Sequence, residues 1–280
     1  MYDERQATQT AESAAATIRN RLSVRTEHPI GLILGTGWGD ALNMDYATRL
    51  PFDEIPGFGE LRHIEGHDRV VECGDVAGRE TLLLRGRVHL NEHPSDPNVP
   101  RMVRLQTEML MQAGVNRLIV TCAAGSLNPL RMPPGGICIT DGFVTGQNMT
   151  LPSFGGEFDS PEDALDPRLI DIARYEGAMA SGKRELVWVG GHAYYRGPNF
   201  EGRKYEKNVL ASTGALTVGM STIPALSMVA KYKRSALASA FISNDNLEVH
   251  THEENLKRAK ESADFMAAFL EGCISNFPTD

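Results

Sequence analysis

Short apolar runs closed by Gly, Pro, Asn or Asp return along the chain, and helix-period segments lie between several of them. The runs are GLIL at 31–34, TLLL at 81–84, RLIV at 117–120, GICI at 136–139, LVWV at 186–189, LTVGM at 216–220 and SALASAFIS at 235–243. Unbroken apolar stretches of this length read as strands buried on both faces, the state a sheet reaches when helices cover it above and below. Met102 to Ala113 and Thr222 to Lys231 carry the spacing of amphipathic helices. Their alternation with the strands predicts an α/β fold.

The last helix is the best marked. Leu256, Ala259, Ala263, Met266, Leu270 and Ile274 recur at three- and four-residue intervals, and Thr251 with Glu254 forms a capping box that places His252 in the first turn. The opening residues, MYDERQATQTAESAAATIRNRL, contain acids and no long apolar core, so residues 1–28 read as a helical lead-in rather than a signal peptide or membrane helix. No repeat or linker divides the chain, and one domain over 1–280 is expected, with Pro152 to Asp166 as a surface loop.

Charge narrows the partners. With 28 Lys and Arg against 36 Asp and Glu, the net charge is -8, which disfavours a general nucleic-acid binder. An anionic ligand would need a local pocket. No stretch of about 18 apolar residues exists to span a bilayer. Cys73, Cys122, Cys138 and Cys273 are scattered without a C-x-x-C pair, the pattern of reduced thiols in a cytoplasmic chain rather than a disulfide or zinc framework.

Three segments carry the chemistry. GLILGTGWGD runs a strand into a Gly-rich turn, where backbone amides around Thr36 fit either an anion cradle or a tight chain reversal. It lacks the spacing of a dinucleotide fingerprint and the Lys of a P-loop. EGHDRVVE, with His67, is followed by GRVHLNEH, in which Arg87 and His89 alternate on an extended backbone and so share a face. A guanidinium and imidazoles at a strand end suit a dianion, although a surface ion-pair cluster would look the same. Arg85 reads as solvent-facing or paired with an acid. LIVTCAAGSLN ends a strand in small residues from Ala123 to Ser126, which suit either a close ligand approach at the carboxyl end of the sheet or plain packing.

In order and spacing, GTGWG, GHDR, GRVHLNEH, VTCAAGSLN, GGHAYYRGPNFEG, VGMSTIPA, FISN and HEENL resemble the trimeric purine nucleoside phosphorylase and methylthioadenosine phosphorylase family, and the first of these more closely. The resemblance runs from about Gly31 to the last helix. It implies a mixed, partly barrel-like sheet flanked by helices, a homotrimer, inorganic phosphate as co-substrate, and neither metal nor organic cofactor. Thr36, His67, Arg87, His89, the amide of Ala123 and Ser221 would bind phosphate. Phe200 would lie against the purine, with Glu201 and Asn244 on its polar edge, Met220 under the ribose and His252 at the 5'-hydroxyl. Asn244, His89 and Glu201 would be the catalytic set. The site would lie at a subunit contact, completed by a neighbour's aromatic such as Phe154 or Phe158.

The implied reaction is phosphate-dependent cleavage of the N-glycosidic bond of inosine or guanosine to free base and ribose 1-phosphate. Cys122, Gly202, Ala225 and His192 depart from the family's usual pattern, and Leu90 and His192 are read as reshaping the sugar side. They keep two alternatives open: a methylthioadenosine or methylthioinosine phosphorylase, and a nucleoside-binding homologue without turnover.

Overall fold

The apolar run at 30–34 forms β1 (Ile30–Leu34), whose five residues are all buried because its neighbours are parallel strands and both its faces are covered. Those neighbours are β4 (Arg79–Arg85) and β5 (Arg117–Ser126). The computed structural model describes residues 3–59, 68–93, 95–145, 160–182, 186–195, 202, 205–245 and 251–279, without the side chains of Asp40 and His252.

Outward from β4 the sheet continues antiparallel through β3 (Val70–Val76) to the edge strand β2 (Asp45–Pro51). On the other side β5 pairs with both β8 (Thr217–Gly219) and β9 (Ser235–Asn244). The series β8, β7 (Val187–Tyr194), β6 (Ile137–Val144) and β9 returns to β5, so five strands close into a ring while β1, β4, β3 and β2 form an open extension.

Alternate residues of the strands face two separate cores. Ile33, Leu82, Leu84 and Val120 pack against α1 (Glu4–Arg21), α2 (Asn98–Gln112) and α5 (Thr222–Lys231). Leu32, Leu34, Ile119 and Phe241 face α3 (Pro167–Ser181) and α7 (Ala263–Asn276). The lead-in helix α1 is capped by Asp3 and latched by Glu4, whose carboxylate takes Arg104 at 2.6 and 2.7 Å and also Lys231. The hydrogen bond from Arg104 is the largest cause holding Glu4 down at a pKa of about 2.

Thr251 and Glu254 make the expected capping box, with Glu254 N donating to Thr251 Oγ1 at 3.1 Å and Thr251 N donating to Glu254 Oε2 at 2.8 Å. The single last helix expected from the apolar spacing is instead two. α6 (His252–Glu261) ends at Ser262 (φ -101°, ψ 6°), and α7 begins beyond it. The turn lets α6 lie on β9 while α7 packs on α3. Of the expected surface loop at 152–166, residues 160–166 are described, and they hold a capped 3-10 turn at Pro161–Ala164. A further short helix, α4 (Glu206–Ser212), follows the GPNFEG segment. No helix among the described residues is long and apolar enough to cross a membrane, and all four cysteines are buried free thiols.

Candidate active site

The Gly-rich turn after β1 is pinned from both sides. Gly35 N donates to Thr121 Oγ1 at 3.1 Å, and the indole of Trp38 donates to the Cys122 carbonyl at 2.9 Å. Arg85 is paired with an acid: it takes both oxygens of Glu72 at 3.0 and 2.8 Å and also donates to the carbonyls of Gly39 and Leu42, holding the far end of the turn. A Cβ on Gly35 would stand 2.6 Å from Arg87 Nη2 and 2.5 Å from the Thr121 carbonyl. Glycine is therefore required for Arg87 to enter beneath the turn and donate to Thr121 O.

Arg87 is only 2% exposed, and burial, opposed by the neighbouring Cys122, pulls its pKa down to about 10, still cationic at neutral pH. The same burial pushes the Cys122 thiol up to about 11. Between Arg87 and His89, Val88 points into the core, and the side-chain amide of Gln106 clamps its backbone, accepting from Val88 N at 2.8 Å and donating to Val88 O at 3.0 Å. The amide replaces a missing strand partner and keeps the segment extended.

His89 reaches across to α5, with Nδ1 3.4 Å from Ser221 Oγ. Ser221 occupies the N-cap position of α5 without using its side chain as a cap, so its hydroxyl faces His89 at a helix N-terminus, where free amides favour anions. Glu92, overlooked in the sequence, fixes the His89 loop: Oε1 accepts from His89 N at 2.7 Å, and Oε2 from the buried Arg69 at 2.6 Å. Its place three residues after His89 in GRVHLNEH was the available signal. Burial raises the Glu92 pKa, while the His89 amide and Arg69 oppose the shift.

Ala123, on β5, is bracketed by Cys122 and by Gly219: its carbonyl lies 3.5 Å from where a Gly219 Cβ would stand. Met220 and Ser221 follow Gly219 directly. Thr36, Arg87, Ala123, Met220, Ser221 and His89 are thus strung along the carboxyl ends of β1 and β5, the extended segment after β4, and the start of α5.

Asn244 closes the other side. β9 runs in register with β5 until Ala124 faces Ile242; the next pair is Gly125 with Asn244, so Ser243 is the extra residue of a bulge. The bulge turns Asn244 toward Gly125, with Nδ2 3.1 Å from the place of a Gly125 Cβ. Ser243 Oγ donates to Asn244 Oδ1 at 2.8 Å, and Arg258 of α6 holds the Ser243 carbonyl at 2.9 Å. With its oxygen engaged, the amide presents its nitrogen as a donor.

His192 is fully buried, with Nδ1 2.9 Å from Thr217 Oγ1 and its ring edge-on to Phe143. Burial pulls its pKa down to about 4, so it is neutral. Leu90 packs with Tyr194 and Ile223 beside the start of α5. His67, Phe200 and Glu201 lie outside the described residues, as do Phe154 and Phe158. His252 opens α6, but its side chain also lies outside the description.

The fold finds its counterpart in known proteins. Residues 29–275 match the phosphorylase superfamily, and the chain belongs to it. Within that superfamily, relatives that match over nearly the whole chain include purine nucleoside phosphorylases. The one from Mycobacterium tuberculosis is 30% identical over 95% of this chain and 96% of its own length, and the one from Bos taurus is 28% identical over 96% of each. The crystal structure of Schistosoma mansoni purine nucleoside phosphorylase in complex with inosine superposes with a TM-score of 0.83 at 26% identity, covering 97% of this chain and 98% of that one. The chain is accordingly an enzyme of this pentosyltransferase family.

Proposed function

We propose that this chain cleaves 6-oxopurine nucleosides with inorganic phosphate, releasing free base and ribose 1-phosphate. The observation that carries the reading is the orientation of Asn244. An amide nitrogen can donate to N7 and O6 of a 6-oxopurine, and the Ser243 hydroxyl disposes it to do so. The M. tuberculosis and cattle relatives bear the same enzyme name over nearly their whole length, and the schistosome enzyme was crystallised with inosine.

In this reading Arg87 supplies a fixed charge for phosphate, with Thr36, the Ala123 amide, His89 and Ser221 as further donors and the N-terminus of α5 behind them. The resemblance adds His67 to this set, Phe200 and Glu201 to the purine, and His252 with Met220 to the ribose. A phosphate oxygen forms a bond to C1' as the bond from C1' to N9 breaks, the electron pair passes into the purine, and the proton that phosphate gives up ends on the departing base. Asn244 stabilises the charge that gathers at N7. Catalysis then comes from positioning and from donors aimed at developing charge, with phosphate as co-substrate and no other cofactor. The reading includes one catalytic domain over 1–280, a cytoplasmic setting and a homotrimer.

The experiment is release of free base from inosine, guanosine, adenosine and the two methylthio-nucleosides, each with and without phosphate. Phosphate-dependent release from inosine and guanosine is expected. Preference for a methylthio-nucleoside would move the assignment to that branch, where the apolar cluster of Leu90, Tyr194 and Ile223 would be suited to a thiomethyl group. Binding without cleavage would overturn the enzyme reading.

A further inference from the structure

Lys207 is a lysine that water does not reach. It sits on α4 at 2% exposure, the only lysine among the buried polar residues described. Lysine is almost never fully buried unless its ammonium meets acceptors, since removing an unmatched charge from water costs several kcal/mol. One of its N–H groups reaches the Asp245 carbonyl at 3.4 Å, immediately after Asn244.

The position of Nζ gives the lysine a use. Around the point where a Gly125 Cβ would stand, Asn244 Nδ2 lies at 3.1 Å and Lys207 Nζ at 3.7 Å. Two donors therefore close on the same face of Gly125, a residue whose lack of a side chain lets both approach β5. The proposed anion-binding set already has its own cation in Arg87, and Lys207 stands beside Gly125, farther along β5 than Ala123.

We infer that Lys207 is a specificity-determining residue of this enzyme, placing a cation beside Asn244 at the acceptor edge of a 6-oxopurine. The inference rests on the reaction proposed above. As the glycosidic bond breaks, negative charge spreads into the departing base and onto its 6-oxo oxygen. A cation held there stabilises the transition state more than the bound nucleoside. A 6-aminopurine turns a donor toward the same two donors, which leaves buried N–H groups opposed rather than paired.

The test is kcat/KM for inosine and adenosine in the wild type, Lys207→Met and Lys207→Arg, at saturating phosphate, together with KM for phosphate. Met keeps the length and apolar bulk of the stem without the charge. The expected result is at least a tenfold fall in the inosine-to-adenosine ratio for Lys207→Met, partial recovery of the ratio in Lys207→Arg, and a phosphate KM within twofold of wild type. A ratio within twofold of wild type, or parallel losses on both nucleosides with a raised phosphate KM, would overturn the inference.

The wild type gives a second reading that holds even if a variant fails to fold. Purine riboside, which has hydrogen in place of the 6-oxo group, must react at least tenfold less efficiently than inosine, and a smaller penalty also overturns the inference. A wild type that releases no base from inosine and phosphate removes the proposed function itself. An active wild type with an unchanged ratio removes only the role of Lys207.

Discussion

The Ser243 hydroxyl lies 2.8 Å from Asn244 Oδ1 and 3.4 Å from the Ala124 carbonyl. In the proposed reading the nearer contact leaves the Asn244 nitrogen as the donor to the base, and removing either group has a different expected signature. Asn244→Ala deletes the donor and is expected to lower kcat/KM for inosine on the order of a hundredfold, the scale of losing one aimed donor to developing charge. Ser243→Ala leaves the donor but frees the amide to turn, and a loss of roughly tenfold, mostly in kcat, is expected. Steady-state kinetics on both variants checks this, and equal losses would show that Ser243 acts by some other route. Asn244 was singled out only through the family resemblance, since a strand-end Asn by itself reads as a turn former. Ser243 was not, because its function depends on a bulge created by unequal pairing between β5 and β9, which no local pattern reports. Arg87 and His89 were singled out from their alternation, but the glycine that lets Arg87 in and the Glu92 that fixes His89 act through contacts between segments far apart or through a loop's own folding.

The segment after β4 and the helix α1 each depend on one side chain from α2. Gln106→Leu would leave Val88 N and O buried without their partner, at a cost of about 1–3 kcal/mol in denaturant unfolding, and would raise the phosphate KM by loosening Arg87 and His89. A stability loss with an unchanged phosphate KM would show that the clamp serves only the fold. At the α1 latch, Glu4 has its pKa lowered from 4.5 to about 2 by Arg104 and Lys231, so its contribution is present above pH 4.5 and fades as pH falls toward 2. Comparing the wild type with Glu4→Gln across pH should show a stability gap that is constant near neutrality and closes below pH 4.5; a gap independent of pH would contradict the latch. β1, β4, β5 and β9 announced themselves as apolar runs, whereas β2 did not, because its first five residues are exposed at the sheet edge and carry no such run. The break at Ser262 was hidden for a related reason: the apolar spacing passes through it, since α6 and α7 both turn apolar residues inward on either side.

At the scale of the molecule, the ring of five strands brings the site together. β5 and β9 lie more than a hundred residues apart in sequence, yet their parallel pairing sets Gly125 beside Asn244, while β8 sets Gly219 beside Ala123. Closure of this kind leaves no trace in composition or periodicity, and the resemblance to a known family was what made it expected. The proposed trimer should appear in light scattering as a particle of about three times the 30.6 kDa chain mass, and a monomer at working concentration would remove it. The central claim, that this chain joins phosphate to the ribose of a 6-oxopurine nucleoside, is tested most directly by incubating the purified protein with inosine and following hypoxanthine with and without inorganic phosphate. The account predicts hypoxanthine and ribose 1-phosphate in equal amounts only when phosphate is present. No release, or release at the same rate without phosphate, would contradict it.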